Sequence, residues 1–139
     1  MLSGKEQYME LIWIIEKMFI ENFGNDIKLV SMNECVNQMG YFRIQYKYIP
    51  LEYEIVFESE RNLFCIDIYD KEGAKNSLYR IQKFKNETGE KNVESAIRLL
   101  KETLKKNEFN FYFHKEDKLY KKNKSGVTRV KDMKELLNG

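Results

Sequence analysis

The chain has 139 residues, of which 42% are hydrophobic and 33% are charged, and its formal net charge is +2. This length and balance predict one soluble globular domain, residues 1–139, and a single proline among seven glycines excludes a Pro- or Gly-rich linker. The longest apolar stretch, residues 11–20, is about half of the ~20 residues that span a bilayer. The N-terminus also lacks the pattern of a signal peptide, so we expect a cytoplasmic protein with no membrane partner.

An amphipathic helix is predicted over residues 3–23. Ser3 and Glu6 have the spacing of a capping box, which satisfies two backbone donors at a helix start. Apolar residues then recur at steps of three and four, the period of one helix face. Trp13 and Ile20, with Met9 and Ile14, widen this stripe, so we expect the helix to be buried along more than one face. The stripe consists of Tyr8, Leu11, Ile12, Ile15, Met18, Phe19 and Phe23.

Two interpretations fit residues 27–40. Ser31 and Glu34 repeat the capping-box spacing, and Gly40 could end a short helix over residues 32–39. Alternatively, residues 29–36 form a strand and residues 37–40 form a hairpin turn. We favour the strand because residues 28–30 are a poor start for a helix.

Three segments of the stretch from Tyr41 to Asp70 alternate between apolar and polar residues. Successive side chains of a strand point to opposite faces, so this period indicates a sheet with one dry face and one solvated face. An antiparallel meander follows from that pattern. Pro50 is expected at a turn or an edge. The apolar sets are Phe42, Ile44, Tyr46 and Tyr48, then Leu51, Tyr53, Ile55 and Phe57, then Phe64, Ile66 and Ile68.

The second half of the chain continues the same architecture. We predict a turn at residues 71–76, a strand at 78–84, a helix at 92–106 capped by Asn92, and strands at 109–114, 118–122 and 127–131. Asp132 is predicted to cap a terminal helical turn. The fold class is therefore α+β, an antiparallel β-meander of four or more strands packed against two amphipathic helices, with Ile15, Ile55, Ile66 and Leu100 in the core.

Few residues point to chemistry. His114 is the only histidine, so a histidine-based metal cluster is excluded. We expect it to lie at the surface with no catalytic role. Cys35 and Cys65 match no metal or redox spacing, so we expect reduced, buried thiols. No phosphate-binding glycine loop, nucleophile elbow or zinc pattern is present. We therefore expect no enzyme activity, no cofactor and no metal.

Carboxylates are dense in the meander. Residues 1–70 hold six Lys/Arg and twelve Asp/Glu, a balance of −6, whereas residues 71–139 have a balance of +8. Such an asymmetry can mark a binding face, or the two halves can interleave in space and mix their charges. The carboxylates are accordingly either a solvated face or an acidic docking surface for a basic partner. The candidate docking residues are Glu52, Glu54, Glu58 and Glu60.

Cations and aromatic residues are interleaved in the C-terminal hairpin. A basic sheet surface with exposed Tyr112 and Tyr120 could track phosphates and stack bases, although no nucleic-acid motif accompanies it. This gives an alternative function, a small nucleic-acid-binding accessory protein that uses its basic C-terminal half. The candidate residues are Lys118, Lys121, Lys122, Lys124, Arg129 and Lys131.

The order of elements carries a resemblance. A leading amphipathic helix and a Tyr/Phe-rich meander precede a helix, NVESAIRLLKETL, and a hairpin, FNFYFHKEDKLYKKNKSGVTRV. This layout resembles the small α+β immunity proteins of bacterial polymorphic-toxin systems, and the Lys- and Asn-rich composition looks like that of a low-GC Gram-positive bacterium. The resemblance implies a cytosolic inhibitor that binds a cognate toxin protein and does no chemistry. It assigns no binding residue.

Overall fold

A computed structural model describes residues 4–131 and shows an α+β fold, an eight-stranded antiparallel sheet with three helices. The predicted fold class is confirmed. The helices are α1 (Gly4–Phe23), α2 (Leu78–Ile81) and α3 (Glu90–Lys106). The strands are β1 (Ile27–Cys35), β2 (Tyr41–Tyr48), β3 (Tyr53–Glu60), β4 (Leu63–Tyr69), β5 (Lys75–Ser77), β6 (Phe111–Lys115), β7 (Lys118–Asn123) and β8 (Gly126–Arg129).

The strands follow one another across the sheet in sequence order, each antiparallel to the next. The pairing is continuous from β1 to β4, where Ile44 lies opposite Phe57 and Phe57 lies opposite Ile66. Strands β5 and β6 are different, because only Lys75 and Tyr112 pair between them. The sheet therefore has a seam at this position, between the meander and the C-terminal hairpin.

The hydrophobic core lies between one face of the sheet and the helices α1 and α3. Phe19 of α1 packs its ring 4.4 Å from Tyr46 of β2 and 6.3 Å from Phe57 of β3, measured between centroids. The amphipathic stripe of α3 enters the same cluster. The four predicted core residues, Ile15, Ile55, Ile66 and Leu100, are each 0% exposed, which confirms their assignment.

The outer side of α1 departs from the prediction. Trp13 and Ile20 are 60% and 61% exposed, whereas Met9 and Ile14 are partly buried against the core, so the buried face of the helix is narrower than predicted. A helix in a two-layer fold meets the sheet on one side, and its apolar outer residues then have nothing to pack against. Lys17 instead lies over the Trp13 ring, 5.3 Å from its centroid.

Residues 27–35 form strand β1, which confirms the favoured interpretation of the ambiguous segment. The predicted strand over residues 78–84 is wrong, since Leu78–Ile81 is the short helix α2. The Ser77 Oγ accepts a hydrogen bond from the Arg80 amide and so caps this helix, and Leu78 fills the core. The predicted turn over residues 71–76 overlaps strand β5.

The cap of α3 also differs from the prediction. The helix starts at Glu90 with Gly89 as its N-cap. Asn92 lies inside the first turn, where its side-chain Nδ2 donates to the Glu87 carbonyl. The predictions for Ser3 and for the terminal turn at Asp132 lie outside the described residues.

Candidate functional site

The face of the sheet opposite α1 and α3, hereafter the open face, carries the alternate side chains of each strand. Its central strand β3 contributes Glu54, Val56, Glu58 and Glu60, which alternate with the core residues. Val56 is only 4% exposed although it lies on this face, flanked by Gln45 on β2 and Asp67 on β4. The other members are Tyr41, Arg43, Gln45 and Lys47 on β2, Cys65, Asp67 and Tyr69 on β4, and Lys75 and Ser77 on β5.

Five side chains of the open face form one continuous polar chain. The Tyr41 hydroxyl donates to Glu58 Oε2 at 2.9 Å, and the Arg43 Nε lies 3.9 Å from the same oxygen. Arg43 Nη1 donates to Gln45 Oε1 at 3.1 Å, and Gln45 Nε2 donates to Glu54 Oε2 at 3.2 Å. The chain fixes the rotamers of long side chains on β2 and β3, so this part of the face is ordered before anything binds to it.

The four predicted acidic residues do not lie together. Glu54 and Glu58 lie on the open face within the polar chain, and Glu60 is exposed at the end of β3. Glu52 lies off the strand, because its backbone has a left-handed φ of 57° in the turn that follows Pro50. Its carboxylate pairs with Lys71 at 3.6 Å.

The centre of the open face is partly desolvated. Burial raises the pKa of Asp67, against the opposing charge of Lys75, whose Nζ lies 3.4 Å from Asp67 Oδ2. Burial, together with the nearby charges of Asp67 and Glu58, raises the pKa of the Cys65 thiol to about 11. The thiol is therefore protonated at neutral pH and is a poor nucleophile.

Both cysteines are free thiols. Cys65 is half-buried, but Cys35 is exposed, so the prediction of a buried thiol is wrong for Cys35. Cys35 is the last residue of the edge strand β1 and pairs only with Tyr41, which leaves its other side open to solvent.

The basic residues of the C-terminal hairpin are divided between its two faces. Lys118, Lys122 and Arg129 lie on the same face as the stacked rings of Phe113 and Tyr120, whereas Lys121 lies on the other face, opposite Tyr112. The two sets separate because paired positions across an antiparallel ladder share a face. Lys124 and Lys131 are exposed outside the strands.

Lys122 is already engaged. Its Nζ donates to Asp70 Oδ2 at 2.8 Å and to Glu72 Oε1 at 2.6 Å. Hydrogen bonds to these two carboxylates raise the pKa of Lys122. This clamp joins the β4–β5 turn to β7 across the seam, so Lys122 acts within the fold.

The seam between β5 and β6 opens a cleft of about 1030 Å³. Sequence reasoning missed it, because it depends on the pairing of Lys75 with Tyr112, two residues far apart in the chain. The sequence contained one signal for the cleft. Tyr112 and His114 alternate with Phe111 and Phe113, which places them on the opposite face of the strand. The polar residues that line the cleft include Asp67, Tyr69, Lys75, Arg80, Tyr112 and His114.

Within residues 4–131, no three His, Cys, Asp or Glu side chains are grouped closely enough to hold a metal ion. None of the helices in this part of the chain has the length and apolar character that a membrane span requires. No family model, curated protein or solved structure matches the chain.

Proposed function

We propose that this protein is a binding module that neutralises a protein toxin by covering its active surface, as the immunity proteins that it resembles do. The observation that carries the proposal is the polar chain from Tyr41 to Glu54 on the open face. Side chains that are ordered before binding lose little entropy in a complex, which favours affinity. Their carboxylates are suited to a basic partner, because complementary charge governs association rate and specificity.

The residue types on the open face support a protein as the partner. Tyr41, Arg43 and Tyr69 belong to the types that are enriched at protein interfaces and that dominate their binding energy. A toxin that attacks nucleic acid is often basic, because phosphate contacts require cations. The carboxylates of the open face, of which Asp67 is partly desolvated, would then meet the cations of the toxin.

The alternative function, nucleic-acid binding by the C-terminal hairpin, has weaker support. Phosphate contacts require cations that lie along one surface and are free to pair. Lys121 lies on the opposite face from Lys118 and Arg129, and Lys122 is neutralised by Asp70 and Glu72. The hairpin nevertheless keeps a stacked Phe113–Tyr120 pair near exposed cations, so this function remains the second candidate.

The proposed mechanism is occlusion without chemistry. The polar groups of the open face hydrogen-bond to one another, and the Cys65 thiol remains protonated at neutral pH. An arrangement of this kind holds charge in fixed positions but offers no nucleophile with an adjacent base. We therefore propose a cytoplasmic bacterial inhibitor that is not an enzyme and needs no cofactor.

The test is co-expression with the C-terminal domain of the protein encoded immediately upstream. We expect the two chains to co-purify at equal stoichiometry, and we expect this protein to restore the growth of cells that the domain inhibits. If the two chains elute separately and growth is not restored, and this protein instead binds DNA in a salt-dependent way, nucleic-acid binding replaces the immunity function.

A further inference from the structure

We propose that the cleft at the β5–β6 seam is a binding site for a small oxyanion, a molecule that carries a phosphate or carboxylate group. Its anchors are the Arg80 guanidinium and the Tyr112 hydroxyl, both from residues that line the cleft. This site is separate from the polar chain of the open face, and it does not depend on the proposed function.

Arg80 is the cation of the cleft that is available to a ligand. Its guanidinium lies over the Tyr112 ring, 5.8 Å from the centroid, and it has no carboxylate partner among residues 4–131. A guanidinium stacked on an aromatic ring keeps its N–H groups free at its edge, where they match the two oxygens of a carboxylate or phosphate. Arg80 can therefore turn to an anion without breaking an ion pair.

Tyr112 provides the second, independent observation. The residue is only 6% exposed, and its hydroxyl is buried without a hydrogen-bond partner in the part of the chain that the structure describes. A buried donor without an acceptor is costly, so native structures rarely contain one without a reason. An oxyanion beside Arg80 would supply the missing acceptor once the guanidinium moves from the ring to the ligand.

The pairing of charges in the cleft leaves Arg80 as the group that can take an anion. Its lining includes three cations, Lys75, Arg80 and Lys122, and two carboxylates, Asp67 and Glu72. Each carboxylate is already bound, Asp67 to Lys75 at 3.4 Å and Glu72 to Lys122 at 2.6 Å. Lys122 also pairs with Asp70 at 2.8 Å, so Arg80 is the one Lys or Arg of this lining that pairs with no carboxylate among residues 4–131.

The size of the cleft points to a small organic anion. A volume of about 1030 Å³ is at the upper end of the range for small-molecule sites, which usually combine a few placed polar groups with apolar walls. Phe113, Leu119 and Val127 supply the apolar part of this lining. An organic ligand could thus rest on these side chains while its oxyanion reaches Arg80.

Titration of the 15N-labelled full chain with inorganic phosphate or with succinate tests the proposal. Ionic strength is held constant with sodium chloride, which also supplies the control anion. At least one of the two oxyanions should shift the amides of residues 75–80 and 112–114 in a saturable way, with a Kd below about 10 mM. Comparison of the two titrations shows whether the site takes a phosphate or a carboxylate.

Matched variants identify the anchors. Arg80→Gln should weaken binding at least tenfold, and Tyr112→Phe should weaken it about five- to tenfold, because each loses a hydrogen bond to a charged group. Tyr46→Phe is the control for Tyr112→Phe, since the Tyr46 hydroxyl is also buried and unpartnered among the described residues but faces the helices. Arg98→Gln on α3 is the control for Arg80→Gln. Neither control should change the Kd.

Three results would overturn the proposal. The first is that neither oxyanion saturates any amide shift, and the second is that the shifts map away from the cleft. The third is that the cleft variants bind as tightly as their controls. Thermal melts of each variant show whether it is folded. Arg80 is exposed, so its substitution leaves the core intact and tests binding alone.

Discussion

At the scale of single residues, the two cysteines show how position on a sheet determines reactivity. Both thiols are free and both lie on the open face, Cys35 at the end of an edge strand and Cys65 in the interior of the sheet. The interior position removes water and brings the thiol close to Asp67 and Glu58, so the pKa of Cys65 rises to about 11. The edge position leaves Cys35 exposed.

Cys35 should therefore react with a neutral alkylating reagent at least about tenfold faster than Cys65 at pH 8. The thiolate is the reactive form, and with a pKa of about 11 only about one Cys65 thiol in a thousand is ionised at this pH. A time course of peptide mass spectrometry measures both rates. In denaturant, the control condition, the two rates should become similar. Equal rates in the folded protein would show that the sheet does not shield Cys65.

Lys121 and Lys122 are adjacent in sequence but lie on opposite faces of β7. Lys122 pairs with Asp70 and Glu72. Lys122→Ala should lower the free energy of unfolding by about 1–3 kcal/mol, because it leaves the buried Asp70 carboxylate without its cation. Lys121→Ala on the opposite face should cost less than about 0.5 kcal/mol. Denaturant titrations of both variants compare them. Equal losses would mean that the clamp contributes nothing specific.

At the scale of elements, α1 divides its apolar residues between the core and the solvent. Ile15 is 0% exposed beneath the helix, whereas Ile20, five residues later, is 61% exposed on its outer side. The periodicity of the sequence identifies both as apolar helix positions, but only the packing partners decide which one is buried.

Ile15→Ala should consequently lower the free energy of unfolding by about 2–5 kcal/mol, the usual cost of truncating a large core side chain. Ile20→Ala is its matched control in the same helix and should cost less than about 1 kcal/mol. Chemical denaturation measures both. A large loss for Ile20→Ala would place that side chain in an interface, and a small loss for Ile15→Ala would contradict the core assignment.

The sequence predicted the elements that depend on local periodicity. Strands β2 to β4 and the helix stripes repeat over many residues, so their core faces could be assigned correctly, although Trp13 and Ile20 on the outer side of α1 could not. The segment 78–84 could not be assigned correctly, because the four residues from Leu78 to Ile81 fit both the helical and the strand period. The Ser77 cap favours the helix. Periodicity alone could not separate helix from strand over so short a segment.

The candidate sites were less predictable for a related reason. Glu52 has the parity of Glu54 and Glu58 in the sequence, but one left-handed residue in a turn removes it from their face. The cleft depends on Tyr112 meeting Lys75 across the seam, a pairing that no local pattern shows. Sequence reasoning therefore found charged residues but not which of them meet.

At the scale of the whole molecule, the charge asymmetry between the two halves of the chain becomes a mixed surface. Arg43, Lys47 and Lys75 lie between the carboxylates of the open face, because neighbouring strands bring opposite charges side by side. The acidic face expected from the −6 balance of residues 1–70 is thus neither uniform nor purely solvated. A partner would have to match a pattern of charges, which favours specific recognition.

Association kinetics with the co-expressed toxin domain test the central proposal, that the open face docks a protein partner. The test variant is Glu54→Gln with Glu58→Gln, in which the new amide oxygen at position 58 can still accept the Tyr41 hydrogen bond. The control is Glu102→Gln with Glu108→Gln, which changes the net charge equally at two exposed positions, one on α3 and one just after it.

At about 20 mM salt, the test variant should associate about tenfold more slowly than the parent, and the control should associate at the parental rate. At about 300 mM salt this difference should shrink, because salt screens the charges. Thermal melts should show both variants to be folded. If the test variant associates as fast as the control at low salt and dissociates no faster, the open face is not the docking surface.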